Sequence, residues 1–115
     1  MSYSPIYLRF LHLTQAISGD LPSSSVDFSA LRLLEAVAVA YAKGSPLTVT
    51  NSMELNTIAS PATLHRKLDA LREAGLVEQE FEGKNRRTKY LVPTQSASKY
   101  FEQMGKALVT ATKQP

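Results

Sequence analysis

A chain of 115 residues, 43% apolar and 20% charged, suits one soluble globular domain with a real core and is too small for two. It contains no cysteine, which excludes disulfides, thiolate metal sites and cysteine nucleophiles and fits a reducing cytoplasm. The formal charge of +3 is uneven: residues 1–60 hold three basic and four acidic side chains, residues 61–115 ten and six, so a polyanionic partner would meet the second half.

The N-terminal "MSYSPIYLRFLHLTQAI" lacks a basic leader and a small-residue cleavage signal and is not read as a signal peptide. No apolar run approaches the ~20 residues that span a bilayer, so no membrane partner is expected. Ser4 and Pro5 instead form a capped helix start, predicting a helix to about Ile17. Its apolar residues Ile6, Tyr7, Leu8, Phe10, Leu11, Leu13 and Ile17 cover more than one stripe. The surplus face needs a second subunit or an unusually embedded core position.

Residues 18–25, "SGDLPSSS", read as a loop. Asp27 is the expected N-cap of a central helix in which Phe28, Leu31, Leu34, Ala38 and Tyr41 step along one face until Gly44. Asn51 with Glu54 resembles a capping box, predicting a helix of about two turns. After the brief turn "NTIAS", Ser60-Pro61 starts another helix, whose stripe Leu64, Leu68 and Leu71 runs to Gly75. Two helices joined so closely have helix-turn-helix spacing.

"LVEQEFE" and "TKYLV" alternate around "GKNRR", predicting a β-hairpin from about Leu76 to Val92 with its tip near residues 83–86. Pro93 ends it, because proline cannot donate to the ladder. Thr94 then caps a last helix, to about residue 110, with Ala97, Tyr100, Phe101, Met104, Ala107 and Leu108 in helical spacing.

With the leucine stripe turned inward, Ala62, Arg66, Asp69 and Glu73 face outward, flanked by Thr63 and His65. The start of that face is small and basic. It suits a major-groove reader: Ala62 permits close approach, Arg66 can fork to guanine or phosphate, and Ser60, Thr63, His65 and Lys67 supply further polar contacts. A solvated amphipathic helix is the alternative. In the hairpin, however, Lys84, Arg86, Arg87 and Lys89 occupy six positions with Asn85 and no acid, a tip suited to phosphate backbone or minor groove. The expected fold is mainly α with a small β-hairpin wing, a winged helix-turn-helix over residues 48–92 of a single domain, 1–115.

The stretch "SPATLHRKLDALREAGLVE" followed by "NRRTKYLVPT" resembles the recognition helix and wing of the MarR-type transcriptional regulators of bacteria. The family's recognition-helix threonine and arginine match Thr63 and Arg66, and its glycine-leucine-valine helix exit matches Gly75, Leu76 and Val77. Its wing pattern of aspartate, any residue, arginine falls on Asn85 and Arg87, with Asn85 in place of the acid; the closing Leu-Thr corresponds to Pro93-Thr94. The motifs cover roughly Leu47 to Thr94. Further departures are the missing glycine in "NTIAS" and a shorter C-terminal helix.

The resemblance implies a cytoplasmic homodimer, joined through residues 4–17 and 94–110, that binds a two-fold symmetric duplex DNA operator with one recognition helix per half-site. It also implies a small-molecule effector, for which Tyr7, His12 and Tyr41 are candidate lining residues; core or interface packing is their alternative role. No cofactor is expected. His12 and His65 lack a ligand set, and no phosphate loop or carboxylate pair appears, so catalysis is not expected. The competing function is a protein-interaction module without specific DNA binding, since fold does not fix function.

Overall fold

Capping side chains set most of the element boundaries in the computed structural model, which describes residues 2–18 and 26–113. Most of the serine-rich loop expected at 18–25 lies outside the described residues. Helix α1 (Ser4–Ser18) is followed by α2 (Phe28–Ala42), α3 (Val49–Ser52) and α4 (Pro61–Glu73). Strands β1 (Val77–Glu82) and β2 (Asn85–Pro93) pair antiparallel, and α5 (Gln95–Lys113) follows.

The Asp27 carboxylate accepts from the Ala30 N–H at 3.0 Å and opens α2 as expected. The buried face of α2, however, is Ala30, Leu33, Leu34 and Val37, rotated from the expected stripe. Phe28 is 74% exposed and Tyr41 48%. Several apolar stripes compete on this alanine-, leucine- and valine-rich helix, and packing against α4 and β2 selects among them. Ser4 is the first residue of α1 rather than its cap; the Tyr3 carbonyl accepts the first helical N–H groups.

The short helix is capped by Thr48, not Asn51. Thr48 Oγ1 accepts from the Asn51 N–H at 2.9 Å, and Asn51 Oδ1 accepts in return from the Thr48 N–H at 3.3 Å. Glu54 has no part in this box. The helix runs four residues instead of about two turns, because Val49, Thr50, Asn51 and Ser52 all rank low in helix propensity. Half-buried Leu55 and Ile58 then anchor the longer connection to α4 on the core.

Ser60 caps α4 with Pro61 in its first turn, and Leu64, Leu68 and Leu71 are fully or almost fully buried. Gly75 ends the helix at φ +74°. Its N–H donates to the Arg72 carbonyl and that of Leu76 to the Leu71 carbonyl, satisfying last-turn acceptors while Leu76 joins the core. The hairpin pairs Val77 with Pro93 and Phe81 with Lys89. Gly83 supplies the positive φ, +54°, of a two-residue tip, Gly83-Lys84. Pro93 is the last paired residue of β2. On its other edge β2 bridges to the segment before α3: the Leu91 N–H donates to the Leu47 carbonyl at 2.8 Å and Tyr90 pairs with Thr48.

One core joins α2, α4, the hairpin and the start of α5. Thr94 couples wing and helix, its hydroxyl donating to the Gly75 carbonyl at 2.6 Å and accepting from the Ala97 N–H at 3.2 Å. Helix α5 extends three residues past the expected end. It buries Ala97, Tyr100, Ala107 and Ala111 but leaves Leu108 exposed. Helix α1 packs on α5, and Arg9 donates through Nε and Nη2 to the Ala111 carbonyl at 3.2 and 3.1 Å.

Candidate nucleic-acid interface

The exposed N-terminal turns of α4 carry a chain of polar contacts. The Ser60 hydroxyl accepts from the Thr63 N–H and donates to Thr63 Oγ1 at 3.1 Å; Arg66 Nη2 donates to the same Thr63 oxygen, also at 3.1 Å. The cap therefore orients the guanidinium toward the start of the helix. Arg66 keeps further N–H donors for a ligand beyond this one contact. Ala62 stands exposed beside it with no side-chain bulk.

His65 is exposed, with Nδ1 3.7 Å from the Asp69 carboxylate one turn on. Lys67 is more enclosed and reaches across to the Asp27 carboxylate at the start of α2. The hydrogen bond from Lys67, followed by that from the Ala30 N–H, holds Asp27 below its ordinary pKa of 3.8. Of the residues expected to face DNA, Lys67 is thus also a tie between α4 and α2. Asp69 and Glu73 lie on the same outward face, farther along.

The wing carries the second set of cations. Between the pairs Phe81–Lys89 and Glu82–Asn85 the register shifts, and Arg86, Arg87 and Thr88 have no opposite residues on β1. Such an insertion bends and twists a strand and re-aims its side chains. Lys84, Arg86, Arg87 and Lys89 are exposed. The side chain of Asn85 lies outside the described residues. The Tyr90 hydroxyl donates to Glu82 at 3.2 Å, and that bond raises the phenol above its ordinary pKa of 10.0. Sequence reasoning missed three participants: Asp27 as the partner of Lys67, Glu82 as the partner of Tyr90, and Phe81, whose ring lies under Arg86 and Lys89. Each contact depends on a register or interhelix packing that spacing does not reveal.

The structure places Tyr41 and His12 on different depressions of the chain. Tyr41 lines an open groove of ~1260 Å³ between α2 and α5, floored in part by Phe101 and Val109. His12 lines a shallow depression on α1 with Pro5, Leu8, Arg9 and Leu13. Tyr7 is 60% exposed and stacks at an angle against Phe10, with ring centroids 6.4 Å apart. Among the described residues no three His, Asp or Glu side chains gather as metal ligands, and no helix is long and apolar enough to cross a membrane.

No family model and no curated protein sequence matches the chain. Solved structures do. A MarR-like transcriptional regulator from Thermotoga maritima aligns over 97% of this chain and 81% of its own, with 21% identity and a TM-score of 0.59. AbfR in a disulfide-formed state aligns over 96% of this chain and 75% of its own, with 16% identity and a TM-score of 0.49. With α3 and α4 followed by the β1–β2 hairpin and flanked by α1, α2 and α5, the chain has a winged helix-turn-helix fold, the fold it shares with the MarR-like transcriptional regulator from Thermotoga maritima.

Proposed function

We propose that the chain is a transcriptional regulator that binds double-stranded DNA sequence-specifically as a homodimer. The N-terminal half of α4 enters the major groove and the β1–β2 tip lies on the backbone or in the minor groove. The observation that carries this reading is the Ser60–Thr63–Arg66 hydrogen-bond chain, which holds a guanidinium at the exposed start of α4. Arg66 would fork to a guanine edge. Ser60, Ala62, Thr63 and His65 complete the reading surface, and Lys67 contacts backbone from its place beside Asp27. In the wing, Lys84, Asn85, Arg86, Arg87 and Lys89 meet phosphates. The fold shared with the Thermotoga maritima regulator supports this reading.

Dimerisation would bring two such surfaces to a two-fold symmetric site. Its support is the exposed apolar face of α1, where Leu8 is 59% accessible, together with Leu108 and Val109 of α5. The α2–α5 groove beside Tyr41 is the place a small effector would occupy. The chemistry is binding, not catalysis, and the compartment is the cytoplasm.

Selection of bound fragments from a random-sequence duplex pool, followed by footprinting, tests the reading. A symmetric protected site is expected, and Arg66→Ala should weaken binding to it by roughly 1–3 kcal/mol. Unchanged affinity after Arg66→Ala and Arg87→Ala together would overturn the binding mode. A second reading, a protein-docking module, draws on the exposed acids Glu78, Glu80 and Glu82 along β1. Salt-insensitive capture of a protein partner, with no duplex bound at low salt, would favour it instead.

A further inference from the structure

We propose that Phe81 is the positioning residue of the wing: its ring holds the charged ends of Arg86 and Lys89 on one side of the hairpin, so that both meet DNA phosphates already oriented. This rests on the DNA-binding reading above. The Arg86 guanidinium carbon lies 5.3 Å from the centroid of the Phe81 ring and the Lys89 ammonium 5.9 Å from it, both within the range in which the negative face of an aromatic ring attracts a cation. The two cations reach the ring by different routes. Lys89 is its direct cross-strand partner, whereas Arg86 arrives from the unpaired residues of the register shift that begins after Phe81.

Two further features bear on the pair. Glu82, the next residue, accepts a hydrogen bond from the Tyr90 hydroxyl at 3.2 Å, and among the described residues no salt bridge joins an acid to Arg86 or Lys89. The ring and Lys89 also line a shallow depression with Glu78 and with Arg72 in the last turn of α4, so this side of the wing borders α4. Phe81 is 37% exposed, so part of its ring stays open to the two cations. Long side chains pay rotamer entropy when they are fixed on binding. A ring that narrows their choices beforehand lowers that cost.

The test is an anisotropy titration of a duplex that the wild-type protein recovers from a random-sequence pool. Phe81→Leu, which keeps apolar bulk but removes the π face, should weaken binding roughly three- to tenfold, and Phe81→Tyr should stay within about twofold of wild type. In an Arg86→Ala, Lys89→Ala background, Phe81→Leu should have no further effect. Equal affinity of Phe81→Leu and wild type overturns the proposal, as does an equal loss in that background, which would mean that the ring merely supports the hairpin. Circular dichroism melts establish that each variant is folded. In the free protein, the side-chain methylene resonances of Arg86 and Lys89 should be ring-shifted in wild type and Phe81→Tyr and unshifted in Phe81→Leu; unshifted wild-type resonances also overturn the positioning role. If the wild type recovers no duplex at all, the DNA-binding reading itself fails, and this proposal with it.

Discussion

Leu68 and Phe28 are both large and apolar, yet their surroundings assign them opposite weight. Leu68 is 1% exposed among Leu64, Leu71 and the α2 leucines. Leu68→Ala should cost about 2–5 kcal/mol in denaturant unfolding, because the cavity it leaves cannot close fully. Phe28→Ala should be close to neutral. Asp27 makes a different contribution, through its charge. Its pKa is depressed chiefly by the Lys67 hydrogen bond, so the folded state binds that proton more weakly than the unfolded chain does. The stabilisation is complete above the unfolded carboxylate pKa, near pH 4, and is lost as pH falls through the lower folded value. Asp27→Asn keeps a good cap but removes the charge. It should be slightly less stable than wild type at neutral pH, the ion pair being partly exposed, and the difference should vanish in melts near pH 2. The sequence made Asp27 legible as a cap because capping is local. Lys67, forty positions away, is brought to it only by the packing of α4 on α2.

At the scale of elements, glycine shows how position decides sign. Gly75 has φ +74° in the turn that closes α4, where any Cβ brings strain. Gly75→Ala should destabilise by about 1 kcal/mol or more. Gly105 lies inside α5, where an added Cβ would meet nothing within 4 Å. The same change there should raise stability by about 0.5–1 kcal/mol, a contrast read from two thermal melts. The element that departs most from expectation is α3. Thr48 and Asn51 both offer capping oxygens, and sequence spacing alone does not choose between them. The bridge from Thr48 to Tyr90 and the Leu47–Leu91 hydrogen bond tie this segment to the wing, which makes Thr48 the point where extended chain turns helical. The same bridge leaves β1 at the free edge of the sheet. Its exposed acids Glu78, Glu80 and Glu82 then discourage pairing with another chain along that edge.

The whole molecule is elongated, 52 × 27 × 26 Å with a radius of gyration of 15.8 Å, against about 13 Å for a compact domain of this length. Helix α1 on α5 accounts for an apolar surface that the core of one chain does not cover. Under the homodimer reading, this face is where two copies meet. Leu8→Asp with Leu11→Asp should convert a dimer to a folded monomer, as size-exclusion chromatography with light scattering would read. A monomeric wild type across the micromolar range would remove the dimer from the proposed function. In the Leu8→Asp, Leu11→Asp variant DNA binding should weaken steeply, since two linked reader helices bind far better than one.

Local patterns determined where most helices begin and end, the leucine stripe of α4, the hairpin and its basic tip, and hence the winged helix. These depend on capping, side-chain period and turn chemistry, which act over a few residues and are written directly in the chain. Tertiary structure alone decided which stripe of α2 is buried, that Thr48 opens α3, and that Lys67 serves Asp27. It also placed Phe81 beneath Arg86 and Lys89, and set His12 and Tyr41 on different depressions. Those outcomes turn on contacts between elements, where one strand register or one rotation of a helix decides which side chains meet, and no local periodicity carries that information.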